Sequence, residues 1–312
     1  MGRLHGTRLL RKLWQNANVR AYFEEQIYAT DPLLKSPHLR FAPPGHFYSP
    51  LADLDEIQAK SDQLYSLPER SAGIDFNTEA QHQLLGQLAV HFTDFDWQQT
   101  PVAGRRYWMK NFYFEDGDAL ILFALIRHLK PQRIIEVGAG FSSALMLDIN
   151  ERYCNPSLEL CFIEPHPERL EQLLTPADWE RVRILKRPVQ DIPLEEFDTL
   201  GPNDFLFIDS SHVAKVGSDV NYLVFKVLPR LRSGVVIHFH DVFFPFEYPW
   251  EWIKEGRAWN ELYLLHAFLQ YNQAFEVLLF NRYVAHQFKE AIQALSPLIS
   301  SNPGASLWLR KK

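Results

Sequence analysis

From residue 115 onward, short apolar segments alternate regularly with longer segments that have helical periodicity. Such alternation predicts strand–helix–strand units, whose parallel strands form one sheet with helices on both faces. We expect a Rossmann-like α/β fold with a seven-stranded, mostly parallel sheet and an antiparallel last strand, inserted as a hairpin-like edge. The predicted strands are RIIEVG, LELCFIE, VRILKR, DFLFID, GVVIHFH, FEVLLFNRY and ASLWLRK. The predicted helices cover about Asp116–Leu129, Ser142–Tyr153, Pro167–Leu174, Val216–Leu231, Trp259–Tyr271 and His286–Leu295.

The chain before residue 115 has a different character. It is irregular and rich in proline and aromatic residues, with helices predicted over Val19–Ala29 and Gln81–Phe92. We therefore predict two parts: a helical and irregular N-terminal extension over residues 1–114, able to act as a lid, and an α/β domain over residues 115–312.

Charge and cysteine content narrow the class of partner. The net charge of −6 and the pI near 6.1 give no basic field, so we expect no nucleic-acid partner and instead a small-molecule ligand. The two cysteines, Cys154 and Cys161, are too few for a disulfide framework and indicate reduced residues in a cytoplasmic protein. No apolar run approaches the length of a membrane span, so we expect no integral membrane contact.

The segment IIEVGAGFSS, Ile134–Ser143, places two glycines directly after a predicted strand and before a predicted helix. A nicotinamide-binding fingerprint has glycine at its third position, where this chain has Ser143. A ligand without phosphates does not need that third glycine. Glu164 ends the next predicted strand, 24 residues after Gly140, where a carboxylate can accept both hydroxyls of a ribose. The pattern favours a nucleoside ligand, although a plain strand-to-helix turn is the alternative for the glycines alone.

Together with FIEP, VQDIP, LFIDSSH and GVVIHFHD, this segment resembles the class I S-adenosylmethionine-dependent methyltransferases, in particular the methyltransferase 24, small-molecule O-methyltransferase-like branch. The resemblance covers roughly residues 110–312. It implies S-adenosylmethionine as cofactor and methyl transfer to a small-molecule acceptor, most simply to a hydroxyl oxygen. It also implies a cofactor site in which Glu136, Gly138 and Gly140 line the methionine part, Glu164 holds the ribose, Gln190 and Asp191 flank the adenine, and Ser142, Ser143 and Asp209 complete the set.

A second group of polar residues follows two later strands. Asp209 and Asp241 each come at the carboxyl end of a predicted strand, so their side chains can converge at one edge of a parallel sheet. His238 and His240 alternate along their strand and share a face, and His212 follows Asp209 in its loop. The predicted catalytic residues are Asp209, His212, His240 and Asp241.

Such a cluster can bind a divalent cation, through oxygen ligands for magnesium or through mixed nitrogen and oxygen ligands for manganese, iron or zinc. Magnesium or manganese is the expected ion, and the predicted ligands are Asp209, His240 and Asp241. A cation would lower the pKa of a bound hydroxyl and so prepare it to attack a methyl group. The resemblance implies a magnesium site at these strand ends, but relatives usually carry an acidic or amide pair where this chain has His240-Asp241. In a metal-free alternative, His212, His240, Asp209 or Lys215 acts as general base. In a purely structural alternative, the histidines belong to the core.

Two aromatic stretches are candidates for closing the site: Phe41–Pro50, and Val242–Trp252 directly after Asp241. The second is favoured, because its position in the chain forces it to lie near the sheet edge. The same stretches are equally typical of a contact between subunits, which leaves a homo-oligomer open. Two other functions remain as alternatives: a nicotinamide-dependent oxidoreductase, and a non-catalytic nucleoside-binding or scaffold protein.

Overall fold

The computed structural model describes residues 41–67 and 72–312, and the chain divides into two compact units, Met1–Leu64 and Tyr65–Lys312. The described part of the first unit contains two short helices, α1 (Leu54–Ala59) and α2 (Ser61–Leu64). Asp53 caps the first of them, since its Oδ1 accepts a hydrogen bond from the amide of Glu56 at 3.0 Å. The predicted helix Val19–Ala29 lies outside the described residues.

The second unit is built on one seven-stranded sheet. Its strands are β1 (Arg133–Val137), β2 (Glu159–Ile163), β3 (Arg183–Leu185), β4 (Phe205–Ile208), β5 (Val236–Phe239), β6 (Phe275–Phe280) and β7 (Leu307–Lys311). The order across the sheet is β3-β2-β1-β4-β5-β7-β6, and β7 runs antiparallel to both of its neighbours. All four residues of β4 and all four of β5 are buried, as expected for central strands that carry apolar side chains on both faces. The predicted fold class is confirmed.

The position of the last strand differs from the prediction. We expected β7 at an edge, but it lies between β5 and β6, so that β6 forms the edge. Trp308 of β7 explains the inner position: it is fully buried and packs against Phe205 and Phe207 of β4. If the strand moved to an exposed edge, this large side chain would lose much of its burial. That loss would cost about 3 kcal/mol or more.

Helices cover the sheet and join its strands. They are α3 (Thr78–Leu88), α4 (Asp116–Leu129), α5 (Phe141–Tyr153), α6 (Glu168–Glu171), α7 (Asp219–Tyr222), α8 (Trp250–Lys254), α9 (Glu261–Leu269), α10 (Asn281–Gln287), α11 (Lys289–Leu295) and α12 (Pro297–Ser301). The helical path of α7 continues through a π-helical segment, Leu223–Val227, and a 3₁₀ turn, Leu228–Arg230. Four further 3₁₀ segments are Ala89–Asp94, Asp178–Glu180, Val189–Asp191 and Leu194–Thr199.

Two predicted boundaries shift for local reasons. The helix predicted from Val216 begins at Asp219, because the hydroxyl of Ser218 accepts a hydrogen bond from the amide of Asn221 and caps the first turn. The strand predicted to run to Tyr283 ends at Phe280, and α10 begins at Asn281. The amide of Asn281 still donates to the carbonyl of Ser306 at 3.0 Å, which continues the β6–β7 pairing by one residue as the helix begins.

The region before residue 115 contributes to the second unit through a buried ionic cluster. The guanidinium of Arg106 donates to Asp148 at 2.9 Å and to Asp178 at 2.7 Å, and all three side chains are almost fully buried. The indole of Trp97 also donates to Asp148, at 3.0 Å. These contacts attach the segment around residues 97–107 to α5, so the second unit begins well before the residue-115 boundary predicted from the sequence. The functional division into an extension and a domain stays a prediction.

Within residues 41–67 and 72–312, no helix is long and apolar enough to cross a membrane.

Candidate active site

The site begins at the tight turn between β1 and α5. Gly138 has a φ of +85°, and a Cβ placed on it would lie 1.7 Å from the carbonyl oxygen of Asp209. Its amide donates to the carbonyl of Ile163 at 3.0 Å, which extends the β1–β2 ladder by one residue. Only glycine combines this left-handed conformation with so close an approach of another backbone. The turn therefore brings the ends of β1, β2 and β4 together.

Gly140 has a different role, because its φ of −177° is accessible to any residue. A Cβ here would meet the Cδ of Arg169 at 3.4 Å, an ordinary contact with a flexible side chain. The amide of Gly140 donates to the hydroxyl of Ser143 at 2.9 Å, which satisfies one of the free donors at the start of α5. The serine in the third position of the motif thus closes the turn by a hydrogen bond.

Glu136 lies underneath this turn and is fully buried. Its two carboxyl oxygens accept hydrogen bonds from the hydroxyls of Ser142 and Ser143, both at 2.5 Å. Burial raises the pKa of Glu136 to about 8, although the two hydroxyls counteract that rise. Ser142 reaches the cavity surface above, whereas Glu136 and Ser143 do not line it. Of the residues expected in the cofactor site, Glu136 and Ser143 therefore support the turn from below.

A cavity with two joined lobes opens above the carboxyl ends of β1, β2, β4 and β5. The lobes have volumes of about 580 Å³ and about 410 Å³, in the range of small-molecule sites. Both are lined by Gly138, Glu164, Asp209, Ser210 and Ser211, so they meet at the glycine turn. We call them the wide lobe and the narrow lobe.

The narrow lobe contains Glu164 and Gln190. Glu164 is half-buried at the tip of β2, and its two oxygens accept hydrogen bonds from the amides of Ala139 at 3.1 Å and His166 at 2.8 Å. The side chain of Gln190 donates to the carbonyl of Gly217 at 2.9 Å and so joins the loops that follow β3 and β4. Asp191, the next residue, is exposed and lines neither lobe. The structure thus brings Glu164 and Gln190, but not Asp191, to the cavity surface.

Asp209, His240 and Asp241 meet on the floor of the wide lobe. The Nδ1 atom of His240 is 3.5 Å from an oxygen of Asp209 and 3.5 Å from an oxygen of Asp241. One ligand atom from each of the three residues lies within 4.8 Å of the other two. They converge because β4 and β5 are adjacent parallel strands, paired at Ile208 and Phe239, and therefore end at the same edge.

His212 completes the cluster from the loop after β4. Its Nε2 atom lies 3.3 Å from Asp209 and 3.5 Å from Asp241, and its Nδ1 atom is 2.9 Å from a carboxyl oxygen of Glu261. Glu261 is almost fully buried at the start of α9, and its amide donates to the carbonyl of His212 at 3.1 Å. Trp259 packs against the imidazole, with ring centroids 4.4 Å apart. These contacts hold the ring between one carboxylate behind it and two in front.

Both imidazoles of the cluster favour the charged state. Burial lowers the pKa of His212, but the hydrogen bonds to Asp209 and Glu261 outweigh it and raise that pKa to about 10. Burial has the same effect on His240, and there Asp241 and Asp209 raise the pKa well above its usual range. In turn, burial of Asp209 is outweighed by the positive charge of His240, which holds the pKa of Asp209 well below its usual range.

Asp118 and His238 lie behind the cluster. Asp118 is buried at the start of α4, 3.5 Å from Nε2 of His240, and accepts hydrogen bonds from the amide of Ala305 and the hydroxyl of Ser306. His238 stacks on Phe207 with centroids 3.7 Å apart and pairs with the same hydroxyl at 2.8 Å. Burial and the nearby charge of His240 lower the pKa of His238 well below its usual range. His238 is therefore a neutral core residue, which is the structural alternative that the sequence left open for the histidines.

The walls of the wide lobe come largely from segments that sequence reasoning did not single out. They are Phe112, Tyr113, Phe114, Arg169, Arg257 and Trp259, and Phe141 joins them from the glycine motif. From the favoured aromatic stretch Val242–Trp252, Trp252 reaches the cavity, whereas Phe243, Phe246 and Tyr248 are buried in the core. Lys215, named as an alternative base, lines the narrow lobe instead. The stretch Phe41–Pro50 belongs to the first unit, and its role as a lid stays a prediction.

Comparison with known proteins decides the family. Residues 135–242, from β1 through the loop after β5, match the family model described as a methyltransferase domain, Methyltransf_24. The chain belongs to the class I S-adenosylmethionine-dependent methyltransferases. This confirms the resemblance seen in the sequence, and it sets aside the nicotinamide-dependent alternative. As a methyltransferase of this class, the protein is an enzyme whose cofactor is S-adenosylmethionine.

Individual relatives of this methyltransferase are distant or uncharacterised. It is 35% identical over 166 residues, 52% of its own chain and 74% of the relative, to an uncharacterized protein from Archaeoglobus fulgidus. Podospora anserina methyltransferase PaMTH1, solved with S-adenosylhomocysteine, matches at 17% identity, with 83% of this chain and 94% of that chain covered and a TM-score of 0.40. O-methyltransferase TomG from Streptomyces achromogenes, solved with S-adenosylmethionine, matches at 15% identity, 82% and 96% coverage and a TM-score of 0.39. Likenesses this distant carry no weight for the acceptor of this methyltransferase.

Proposed function

We propose that this enzyme transfers the methyl group of S-adenosylmethionine to a hydroxyl oxygen of a small molecule, with the acceptor in the wide lobe. The observation that carries the proposal is the position of Asp209, His212, His240 and Asp241, which form the floor of a cavity continuous with the glycine turn. A hydroxyl bound over this floor would lie beside groups that can hold or accept its proton. The acidic net charge of −6 also favours a small acceptor over a nucleic acid.

For the cofactor, we propose that the turn Gly138–Gly140 and Ser142 contact the methionine part and that Glu164 accepts the ribose hydroxyls. Each oxygen of Glu164 already accepts one amide hydrogen bond, and a carboxylate oxygen can accept a second. Gln190 would lie beside the adenine in the narrow lobe. Glu136 and Ser143 would keep the turn in shape from below.

The predicted cation site fits the residues present. The Nδ1 atom of His240 is buried, has no hydrogen-bond partner among the described residues, and lies 3.5 Å from both aspartates. An unpaired buried nitrogen between two carboxylates suits a divalent ion that accepts mixed nitrogen and oxygen ligands, such as manganese. We propose Asp209, His240 and Asp241 as its ligands. When bound, such an ion would lower the pKa of an acceptor hydroxyl.

We assign the residues on the floor of the lobe two tasks. Because its pKa is raised, the imidazole of His212 carries positive charge near neutral pH and stabilises an oxygen that loses its proton; His240 does the same when no ion is bound. The proton itself then passes to the carboxylate of Asp241. Most of the acceleration would come from holding the oxygen in line with the methyl group.

A methyl-transfer assay tests this proposal. Purified protein is incubated with isotopically labelled S-adenosylmethionine, with and without manganese, against a panel of hydroxylated small molecules. We expect label in at least one acceptor, and a loss of about 100-fold or more in Asp241→Asn with cofactor binding retained. Label found in an amine or a thiol would contradict the oxygen assignment. Full activity in Asp241→Asn would contradict the role given to the floor.

A further inference from the structure

Two arginines line the wide lobe, and each packs against different residues. Arg257 stacks on Trp252, with its Cζ atom 4.2 Å from the ring centroid, and pairs with Glu255 at 2.9 Å. Arg169 lies beside the glycine turn, where its Cδ is 3.4 Å from the position of a Cβ on Gly140. The two guanidinium groups therefore have different surroundings within the lobe.

The guanidinium of Arg169 is held by an aromatic ring and not by an acid. Its Cζ atom lies 3.8 Å from the ring centroid of Tyr113, a cation–π contact. Tyr113 in turn stacks on Phe141 at the start of α5, with an interplanar angle of 8°, and Trp108 packs edge-on against the same ring. This stack fixes the plane of the guanidinium while leaving its N–H groups at the edge free. Among the described residues, none accepts a hydrogen bond from Arg169 or pairs with its charge.

We propose that Arg169 binds the carboxylate of the cofactor's methionine part, an assignment that rests on the proposed cofactor site. The methionine part is expected against Gly138–Gly140, and Arg169 supplies a fixed, unpaired cation next to Gly140. A planar guanidinium suits this task, because its fork of N–H donors matches the two oxygens of a carboxylate. The acceptor end of the lobe, with Trp252, Trp259 and Arg257, is left for the second substrate.

Two ligands that differ only in the carboxylate separate this role from others. We would titrate S-adenosylhomocysteine and its decarboxylated analogue into the wild-type protein, Arg169→Gln, Arg169→Lys and Glu164→Gln. Arg181→Gln serves as the matched control, since Arg181 is another exposed arginine but lies outside both lobes. A thermal melt of each variant verifies that it is folded.

We expect Arg169→Gln to weaken S-adenosylhomocysteine about tenfold, the value of one charge-assisted hydrogen bond, and to leave the decarboxylated analogue unchanged. Arg169→Lys should recover part of the loss, Glu164→Gln should weaken both ligands, and Arg181→Gln neither. The assignment is wrong if Arg169→Gln weakens both ligands equally or neither, or if Arg257→Gln has the carboxylate-specific effect instead. A wild-type protein that binds neither ligand would overturn the proposed cofactor site as well, which distinguishes the two failures.

Discussion

Gly138 offers the sharpest test of how the turn is built, because the neighbouring Gly140 provides a matched control. In Gly138→Ala the new methyl group would lie 1.7 Å from the carbonyl oxygen and 2.7 Å from the carbonyl carbon of Asp209. Both atoms belong to the backbone, which cannot turn aside as a side chain can. The turn or the end of β4 must therefore move.

The cost of that change can be built up from its parts. A left-handed φ of +85° costs a residue with a Cβ about 1–2 kcal/mol. Moving the two backbone segments apart also breaks the hydrogen bonds from the amide of Gly138 to Ile163 and from the amide of Asp209 to Val137, at about 1 kcal/mol each. The expected loss of unfolding free energy is about 3–4 kcal/mol, a large fraction of what keeps a domain folded. In Gly140→Ala, with an extended φ and a flexible neighbour, the loss should stay below about 1 kcal/mol.

Urea denaturation of the two variants and the wild type, followed by circular dichroism, measures these losses. Titrations of the two folded variants with S-adenosylhomocysteine measure the effect on cofactor binding, since the methyl group added in each variant would lie in or next to the proposed cofactor site. Equal and small losses of stability in the two variants would refute the reasoning, because they would show that the backbone of Asp209 does not press against Gly138.

Three further predictions concern stability. Glu136 has a pKa of about 8 in the folded protein, against about 4.5 in the unfolded chain. Between these pH values only the folded state holds the proton, so the free energy of unfolding falls by about 1.4 kcal/mol per pH unit as pH rises. Glu136→Gln should remove this slope in urea denaturation from pH 5 to 8, and an unchanged slope would contradict the prediction. Arg106→Met should cost about 3–5 kcal/mol by leaving Asp148 and Asp178 unpaired in the core, against below about 1 kcal/mol for Arg105→Met on the surface. Trp308→Ala should cost about 3–5 kcal/mol if β7 lies inside the sheet, and a loss near 1 kcal/mol would place that strand at an edge.

The sheet and the floor of the site were predictable because their signals are local. Apolar runs with turn residues at both ends define strands, and parallel strands bring their carboxyl ends to one edge, so the meeting of Asp209 with Asp241 follows from the sequence alone. The same argument places Glu164 at the tip of β2. For His212 the sequence indicates the loop, but the ring's position depends on α9.

The walls of the cavity could not be predicted, because they depend on contacts between distant segments. Glu261 reads as an ordinary first-turn acid of a helix, and only tertiary packing buries it against His212. In the sequence, Tyr113 and Trp259 are isolated aromatic residues. Only the fold places Tyr113 against Arg169 and Trp259 against His212. Likewise, no local pattern distinguishes an edge strand from β7, whose inner place follows from the packing of Trp308.

The most direct test of the account is calorimetric titration of the purified wild-type protein with S-adenosylmethionine and S-adenosylhomocysteine, with nicotinamide dinucleotides as controls and Glu164→Ala as the matched variant. The account predicts micromolar binding of the first pair, at least tenfold weaker binding in Glu164→Ala, and no heat from the dinucleotides. Binding that is unaffected by the loss of Glu164 would contradict the proposed position of the ribose. Binding of a dinucleotide without binding of S-adenosylmethionine would contradict the central claim.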